Sequence, residues 1–324
     1  MKTHTEWLKE RQTGIGGSDV AAILGLSPYA TPLDIYRSKV EPVDPEGEET
    51  EHQYWGTVLE DVVAQEWRRR SGEKIQRVNQ TLRHPEHDFA IANIDRAVVN
   101  PEVSGTVRWT GTSLTTDQIL EAKTSHTFMA KEWGKPGTDE VPEYYFVQGS
   151  WYLGVTNTTR CHFAVLIGGS DFRTYTIGRD ESLIRDLIDA AGEFWERTQK
   201  GIAPDPQTIA DAKTLYPRHV AGKTEIVGPD VAEACREIAR LDAQIKELTA
   251  EQERHKAMVM AAMGDAEAIE HAGQRIATWK HQTSERLDGK ALRADHPDLA
   301  AMYMRKSDSR VFRLAPAVRK ELDE

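Results

Sequence analysis

Cysteines and long apolar runs are both scarce in this sequence. Only Cys161 and Cys235 occur among its 324 residues, far apart and outside any Cys-x-x-Cys or Cys/His spacing. This scarcity argues against a disulfide framework and against a zinc site. No window approaches the length of a membrane span, and the opening stretch MKTHTEWLKERQTG lacks the apolar segment of a signal peptide. We therefore expect a protein of the cytoplasm that does not associate with a membrane.

A net positive charge is also lacking. The formal net charge is −11, which by itself argues against a polyanionic partner. Much of the acid lies in residues 41–51 and from residue 229 onward, whereas a group of arginines brackets the segment 89–125. These arginines are Arg68, Arg69, Arg70, Arg77, Arg83, Arg96 and Arg108. Carboxylates that bind a cation also contribute to the acidic total, and a bound cation reverses the local charge, so the total weakens a DNA-binding interpretation without excluding it.

The segment 89–125 combines two apolar runs with paired charges. Residues 89–94 form a strand-like run that ends at Asp95, and a second run carries Glu121 and Lys123. Alternation along a strand places Glu121 and Lys123 on one face, and Asp95 reaches that face if the two strands pair. Two carboxylates beside a lysine suit Mg²⁺ and an attacking water, which indicates a nuclease centre. The alternative is a solvated ion pair, because Glu-x-Lys is common on exposed strands.

A glycine-rich turn precedes a short apolar helix near the start of the chain. Gly14, Gly16 and Gly17 permit a tight backbone path, and Ser18 is placed to cap a helix over residues 19–24. The free backbone N–H groups of such a turn suit a phosphate, although an ordinary capped turn has the same pattern. No Gly-Lys-Ser/Thr follows, so the turn is not a nucleotide P-loop.

Two predicted helices carry polar residues on otherwise apolar faces. In residues 54–70, Glu60 lies on the apolar stripe, and an acid that points inward requires a partner, either an arginine or a metal ion with its water. In a later aromatic-rich helix, Tyr145, Gln148 and Tyr152 share a face. Gln148 then either forms a hydrogen bond within the core or orients a water or a phosphate.

The remaining patterns predict an α/β fold with a strand-rich centre flanked by helices. A nuclease-like domain covers residues 1–206, and a linker covers residues 207–228. Residues 229–324 begin with a long helix whose short apolar seam favours an antiparallel hairpin or a partner-binding arm over a long coiled coil. A small α+β appendage follows, with strands predicted in GQRIATWKHQ and SRVFRLA.

Five motifs, taken in order, carry a resemblance to a known family. They are WLKERQTGIGGSDVAAILG, WGTVLEDVVA, ANIDRAV, LEAKTS and PEYYFVQGSWYLGV, which lie between residues 5 and 206. The set resembles the phage lambda-type exonucleases, also called YqaJ-like viral recombinases. This resemblance implies the PD-(D/E)XK nuclease fold, in which helices flank a mixed central sheet.

The resemblance implies a metal centre made of five residues. Asp95 and Glu121 match the metal-binding acids of the family, and Lys123 matches its catalytic lysine. The carbonyl of Ala122 is implied as a further metal ligand. Glu60 matches the helix glutamate that approaches a second metal or its waters.

The resemblance also implies residues that position DNA. Gln148 matches the glutamine of the helix after the acid motif, with Tyr145 on the same face. Arg11 and Ser18 match the pair that holds a 5′-terminal phosphate, and Trp7 matches an aromatic residue near the DNA end. One departure is Arg96: many relatives have glycine after the motif aspartate. Arg96 is expected either to contact a phosphate or to form a salt bridge.

The function implied is Mg²⁺-dependent hydrolysis of linear double-stranded DNA from its ends, with Mn²⁺ expected to substitute. Enzymes of this family digest 5′ to 3′ and leave a 3′ single strand, which implies a phage single-strand annealing protein as a partner and a trimer as the assembly. The protein is then encoded by a phage or prophage and acts in the bacterial cytoplasm.

Three alternatives to the exonuclease remain open. One is an endonuclease of the same fold, and another is a CRISPR-associated nuclease, although two isolated cysteines cannot supply the iron–sulfur ligands usual in the latter. The third is a recombination scaffold that binds DNA ends without cutting them. Intact Asp95, Glu121 and Lys123 count against the scaffold, because a binding protein has no need of that set.

Overall fold

The computed structural model describes residues 4–43, 50–306 and 308–320, and the chain divides into two compact units, Met1–Leu215 and Tyr216–Glu324. The acidic surface loop predicted for residues 41–51 lies mostly outside the described residues. The domain boundaries expected at residues 206 and 228 stay predictions.

Helices and strands are interspersed along the first unit. Its α-helices are α1 (His4–Arg11), α2 (Gly17–Ile23), α3 (Pro32–Val40), α4 (Glu51–Ser71), α5 (Glu143–Thr156), α6 (Glu181–Gln199) and α7 (Ile209–Leu215), and a 3-10 helix covers Thr127–Glu132. Its strands are β1 (Lys74–Gln76), β2 (Leu82–Arg83), β3 (Ile91–Ala92), β4 (Arg96–Val99), β5 (Trp109–Thr110), β6 (Ser113–Leu114), β7 (Gln118–Ser125), β8 (Arg160–Ile167) and β9 (Asp171–Gly178). Helix α7 belongs to this unit although it lies within the stretch predicted as a linker.

Five of these strands form the central sheet, in the order β1-β4-β7-β8-β9. Strands β7 and β8 are parallel, and the other neighbouring pairs are antiparallel. A parallel pair requires a crossover connection, which helix α5 supplies between β7 and β8. This mixed sheet with flanking helices confirms the predicted α/β class and is the arrangement expected of a PD-(D/E)XK core.

Alternate residues of the sheet are buried in two separate cores. One face packs against α4 in a small cluster, which consists of Val63, Ala64, Trp67, Val98, Leu120 and Ala164. The other face packs against α5 and α6 in a larger core, to which the strands contribute Ala97, Ile119 and Phe163. Because side chains alternate along a strand, the odd-numbered residues of β7 face α5 and the even-numbered ones face α4. Glu121 and Lys123 therefore project toward α5.

Helix α5 lies very close to the sheet because residue 149 is glycine. A Cβ atom there would lie 2.8 Å from Cζ of Phe163 and 2.7 Å from Cδ1 of Ile177. Interiors are close-packed, so a larger residue would push the helix away from β8 and β9. The close approach fixes the neighbouring Gln148 against the sheet.

The strand that pairs with β7 is not the one predicted. Within residues 89–94 only β3 is a strand, and it pairs with β2 in a separate two-stranded sheet. The backbone around β3 bonds to Ile15, whose N–H donates to the carbonyl of Phe89 at 2.7 Å. The neighbour of β7 is β4, which starts directly after Asp95. Asp95 thus precedes the pairing strand instead of ending it, because an apolar run alone does not identify its partner.

The predicted cap of α2 was also wrong. Gly16 occupies the N-cap position, and its N–H donates to the Asp19 carboxylate at 2.9 Å. Ser18 is exposed in the first turn of the helix. Its hydroxyl instead accepts a hydrogen bond from Arg11.

The second unit consists of a long helix followed by short elements. These are α8 (Pro229–Met263), the antiparallel pair β10 (Ala268–His271) and β11 (Gln274–Thr278), α9 (Gly289–Asp295), α10 (Pro297–Tyr303) and α11 (Pro316–Lys320). The long helix and the strand in GQRIATWKHQ agree with the prediction, whereas the segment 309–315 contains no strand. The seam residues Ile238, Leu241, Ile245 and Leu248 of α8 are exposed. Within the described ranges of both units, no helix is long and apolar enough to cross a membrane.

Candidate active site

Asp95 and Glu121 meet where the ladder between β4 and β7 ends. The last paired residues are Arg96 and Leu120, so beyond this point the side of β7 that faced β4 is open. The N–H of Ala122 donates to Oδ2 of Asp95 at 2.8 Å, and the N–H of Asp95 donates to Oε1 of Glu121 at 3.3 Å. The Asp95 carboxylate therefore takes the place of a strand neighbour and is fixed against β7.

Lys123 lies beside Glu121, as alternation along the strand predicts. Its Nζ atom is 2.9 Å from Oε2 of Glu121, and the two side chains are 15% and 1% exposed. The pair is buried, which is not the situation of a solvated surface ion pair. Burial of this kind makes the interaction strong but also makes each charge depend on its partner.

Helix α5 adds polar and aromatic side chains to the same face of the sheet. Nε2 of Gln148 donates to Oε2 of Glu121 at 3.3 Å and to the hydroxyl of Tyr152 at 3.1 Å. The Lys123 ammonium lies 5.2 Å from the centre of the Tyr145 ring, within the range of a cation–π contact. The helical face predicted from the sequence is thus the face that contacts Glu121 and Lys123.

Burial and like charge determine the protonation of this cluster. Burial and the neighbouring Glu121 charge raise the pKa of Asp95 to about 8, and burial raises the pKa of Glu121. Burial by itself would lower the pKa of Lys123, but the charges of Glu121 and Asp95 raise it well above its usual value. These two acids therefore favour the charged form of Lys123.

The carboxylate pair has the chemistry that a divalent cation requires. Two buried acids repel each other, and a cation held between them would remove the cause of the raised pKa of Asp95. Mg²⁺ is commonly held by one or two carboxylates and retains several waters. The N–H and C=O of one residue leave a strand toward the same neighbour, so the carbonyl of Ala122 is directed toward Asp95 as well. In the described part of the chain, no cluster of three or more His, Cys, Asp or Glu side chains is arranged to hold a metal ion.

Glu60 has two arginine partners. Its Oε1 atom lies 2.6 Å from Nη1 of Arg96 and 3.3 Å from Nη2 of Arg77. Nη1 of Arg96 also donates to the carbonyl of Asp95 at 2.5 Å, and Nη2 lies 2.8 Å from Oδ1 of Asp61. An arginine is one of the two partners that the sequence leaves open for Glu60, and the structure places two of them against its carboxylate.

Arg11, Ser18 and Trp7 lie together in a second cluster. Nη2 of Arg11 donates to the Ser18 hydroxyl at 3.1 Å, and the guanidinium lies 5.0 Å from the centre of the Trp7 ring. The Arg11 side chain is 30% exposed, so its guanidinium is open to a ligand. The structure brings together the three residues that the resemblance assigns to a DNA end.

Sequence reasoning missed the acid that holds Arg11. Asp19 is buried and lies 2.8 Å from the Arg11 guanidinium and 2.7 Å from Nζ of Lys39, which is buried too. Although burial opposes it, the charges of Arg11 and Lys39 hold the pKa of Asp19 below its usual value. No local pattern marks this cluster, because Asp19 and Lys39 are 20 positions apart. An acid in the first turn of a helix also looks like an ordinary cap.

Gly17 places the two clusters side by side. A Cβ atom on Gly17 would lie 2.9 Å from Cγ of Gln148 and 2.7 Å from Cε1 of Tyr152. The backbone of α2 therefore touches the helix that contacts Glu121. Ser18 follows directly, so the Arg11 cluster (Trp7, Arg11, Ser18 and Asp19) adjoins the acid cluster (Asp95, Glu121 and Lys123).

Comparisons with known proteins agree with this picture. A family model of the YqaJ-like viral recombinase domain matches residues 6–159, the range that contains both clusters. The uncharacterized protein YqaJ of Bacillus subtilis (strain 168) is 35% identical over 314 residues, which cover 95% of this chain and 92% of that protein. The chain belongs to the YqaJ-like viral recombinase family. The match to the Bacillus relative extends through both units of this family member.

Solved structures similar to this YqaJ-like protein include two exonucleases. The alkaline exonuclease (LHK-Exo) from Laribacter hongkongensis is 18% identical, with 61% of this chain and 93% of that chain covered and a TM-score of 0.45. A phage related exonuclease from Haemophilus somnus 129PT is 13% identical, with 59% and 96% covered and a TM-score of 0.40.

Proposed function

We propose that this protein is a divalent-metal-dependent exonuclease that hydrolyses phosphodiester bonds at the ends of linear double-stranded DNA. The observation that carries the proposal is the buried meeting of Asp95, Glu121 and Lys123. Burying two acids and a lysine costs free energy, and a protein that only bound DNA would not need these groups. Membership of a viral recombinase family supports a role in phage recombination.

Asp95, Glu121 and the carbonyl of Ala122 would hold the metal ion, with Mg²⁺ as the expected ion and Mn²⁺ as a substitute. A divalent ion there supplies an acidified water and offsets charge on the phosphate. The N–H of Ala122 holds the Asp95 carboxylate in place, so this acid is oriented before any ligand arrives.

Lys123 acts as a cation in the proposed reaction. As a cation beside Glu121, it positions the attacking water and offsets the charge that develops on the phosphate. The Gln148 amide fixes the Glu121 carboxylate from the α5 side, and the Tyr145 ring limits the directions open to the Lys123 ammonium.

The Arg11 cluster accounts for the proposed preference of the enzyme for DNA ends. Arg11 and the Ser18 hydroxyl are donors suited to a terminal 5′ phosphate, and Trp7 offers a ring on which a terminal base can stack. Because this cluster adjoins the acid cluster, an anchored 5′ phosphate fixes which bond reaches Lys123. An internal bond has no such anchor.

The proposal extends to polarity and partners. Anchoring at a 5′ phosphate leads to 5′-to-3′ digestion, which leaves a 3′ single strand for a phage single-strand annealing protein. The exposed seam of α8 is a surface on which such a partner or another protein can dock. We further propose a trimer and a place in the bacterial cytoplasm, where phage DNA recombines.

In the deciding experiment the protein is incubated with linear duplex DNA labelled separately at the 5′ and 3′ ends, in the presence of Mg²⁺ or EDTA. Closed circular DNA serves as the control without ends. Mg²⁺-dependent release of the 5′ label with circles intact is the expected result, and Asp95→Asn should abolish it. Cleaved circles would instead identify an endonuclease. Binding of ends without cleavage in any divalent ion would identify a scaffold.

A further inference from the structure

Arg96 lies on the side of the centre from which Glu60 approaches. Along β4, alternation places Arg96 with Val98 on the face covered by α4. Glu121 lies on the opposite face, where it contacts Gln148 of α5. Glu60 extends from α4, so its carboxylate approaches the acid cluster from the side that Arg96 occupies.

The Arg96 guanidinium contacts both Glu60 of helix α4 and the backbone of Asp95. Nη1 of Arg96 contacts both Oε1 of Glu60, at 2.6 Å, and the carbonyl oxygen of Asp95, at 2.5 Å. The Arg96 side chain is only 3% exposed, and Arg77 approaches the same oxygen of Glu60 at 3.3 Å. An oxygen that already faces two guanidinium groups is a poor ligand for a divalent ion, because the cations would repel each other across it.

The charges of the centre favour a single divalent ion. The five charged groups are Asp95, Glu121, Glu60, Lys123 and Arg96, three acids and two bases. Metal binding requires both Asp95 and Glu121 to be deprotonated, and the net charge of the five groups is then one negative unit, so one divalent ion and one phosphodiester bring the set to neutrality. A second divalent ion would leave two uncompensated positive charges where burial makes charge costly. Asp61 and Arg77 contribute little to this charge balance, because both side chains are more than half exposed and screened by solvent.

We propose that the Arg96 guanidinium supplies the second positive charge of the centre, so that the protein binds one divalent ion and Glu60 is an ion-pair partner of Arg96 rather than a metal ligand. The inference rests on the proposed function, since it takes Asp95 and Glu121 as the ligands of that one ion. Arg96 is then a positioning residue that holds Glu60 and the backbone of Asp95.

The test is a calorimetric titration of the full-length protein with MnCl₂ in the absence of DNA. The wild type should bind one Mn²⁺ per chain, and Asp95→Asn should lose it. Glu60→Gln should keep the same stoichiometry with a change in Kd of less than about tenfold, whereas the loss of even an outer-shell partner of a metal ligand costs roughly 10–100-fold. A second Mn²⁺ in the wild type that Glu60→Gln removes would overturn the inference.

A second variant asks whether Arg96 itself excludes the other ion. Arg96→Gln removes the positive charge and keeps much of the side-chain length. This variant should bind a second Mn²⁺, and the Arg96→Gln/Glu60→Gln double variant should bind only one. A single Mn²⁺ in a folded Arg96→Gln protein would overturn the assignment to Arg96. If circular dichroism shows that this variant does not fold, the Glu60→Gln titration decides alone. A wild type that binds no Mn²⁺ would overturn the proposed function itself, whereas two ions would overturn only this inference.

Discussion

The Lys39 ammonium lies 2.7 Å from the Asp19 carboxylate, and both side chains are almost completely buried. Arg11 bonds the other oxygen of the same carboxylate. The cluster therefore keeps one net positive charge, which leaves Arg11 both anchored and attractive to an anion. Anchoring of this kind lowers the entropy lost when a phosphate binds.

Replacing Asp19 by asparagine should destabilise the fold strongly. Lys39 would remain buried without its counter-charge, and breaking a buried ion pair from one side costs about 3–5 kcal/mol. Urea unfolding measures the change. The matched control is Glu41→Gln, which breaks the exposed pair with Arg37 and should cost less than about 1 kcal/mol. Equal shifts in the two variants would contradict a stabilising role for the buried pair.

Replacing Arg11 by alanine should remove the preference for phosphorylated ends. The variant loses the charged donor proposed for the 5′ phosphate, so digestion of 5′-phosphorylated DNA should fall toward the rate on 5′-hydroxyl DNA. Initial rates on the two substrates measure the ratio. Arg37→Ala, an exposed arginine on α3, should leave it unchanged. If Arg11→Ala slows both substrates equally, Arg11 has a structural role.

Replacing Lys123 by alanine should slow cleavage strongly while leaving DNA binding largely intact. Removing one fixed charge from a reacting centre typically costs about 10²–10³-fold in turnover. Single-turnover digestion gives the rate, and gel retardation gives the binding. Lys200→Ala, which loses an exposed lysine from the end of α6, serves as the control. Retained turnover in Lys123→Ala would remove this lysine from the mechanism.

The sequence was sufficient to place the acids of the centre but not the backbone that holds them. Glu121 and Lys123 were predictable because a two-residue alternation decides which side chains share a face. The meeting of Asp95 with Glu121 was predicted although the wrong strand was paired with β7, since residues 89–94 and the last three residues of β4 are mostly apolar. An apolar pattern indicates which residues are buried, but it does not indicate which strands pair, because pairing depends on contacts between residues far apart in the sequence.

The ion pairs were beyond prediction for the same reason. Asp19 and Lys39 are 20 positions apart, and Glu60 and Arg96 are 36 positions apart. No local periodicity relates such positions. An inward acid on α4 did indicate that Glu60 needs a partner, but the choice between arginine and metal depended on how β4 lies against α4.

Two glycines should respond in opposite ways to alanine. Gly17→Ala places a methyl group 2.7 Å from Tyr152, so α2 must move from α5 at a cost of about 1–3 kcal/mol. Gly56→Ala in α4 meets no atom within 4 Å, and alanine in a helix is more favourable than glycine by about 0.5–1 kcal/mol. Thermal unfolding measures both variants. A neutral Gly17→Ala would show that the contact between α2 and α5 is loose.

His162 should make the fold sensitive to acid. The ring is buried between Gln118 and Thr176, at 2.8 Å from each, and burial lowers its pKa to about 4. The unfolded chain takes up the proton at about pH 6.5, so the stabilisation is complete above that pH and is lost as the pH falls toward 4, by at most about 3 kcal/mol.

The check on His162 compares urea unfolding at about pH 7.5 and about pH 4.5, which bracket the unfolded pKa. His162→Gln should lose less stability than the wild type between these two conditions. His126→Gln, which changes an exposed histidine, should behave like the wild type. Parallel losses in all three proteins would assign the acid sensitivity to other groups.

The contacts at the end of the β4–β7 ladder also determine how much of the chain must be synthesised before Asp95, Glu121 and Gln148 can meet. The bond from Asp95 to Glu121 spans 26 positions, and the contact between Glu121 and Gln148 spans 27. Each contact forms only after its chain segment has been closed into a loop. A nascent chain that has not yet emerged beyond α5 therefore lacks the Gln148 contact with Glu121 and cannot complete the cluster.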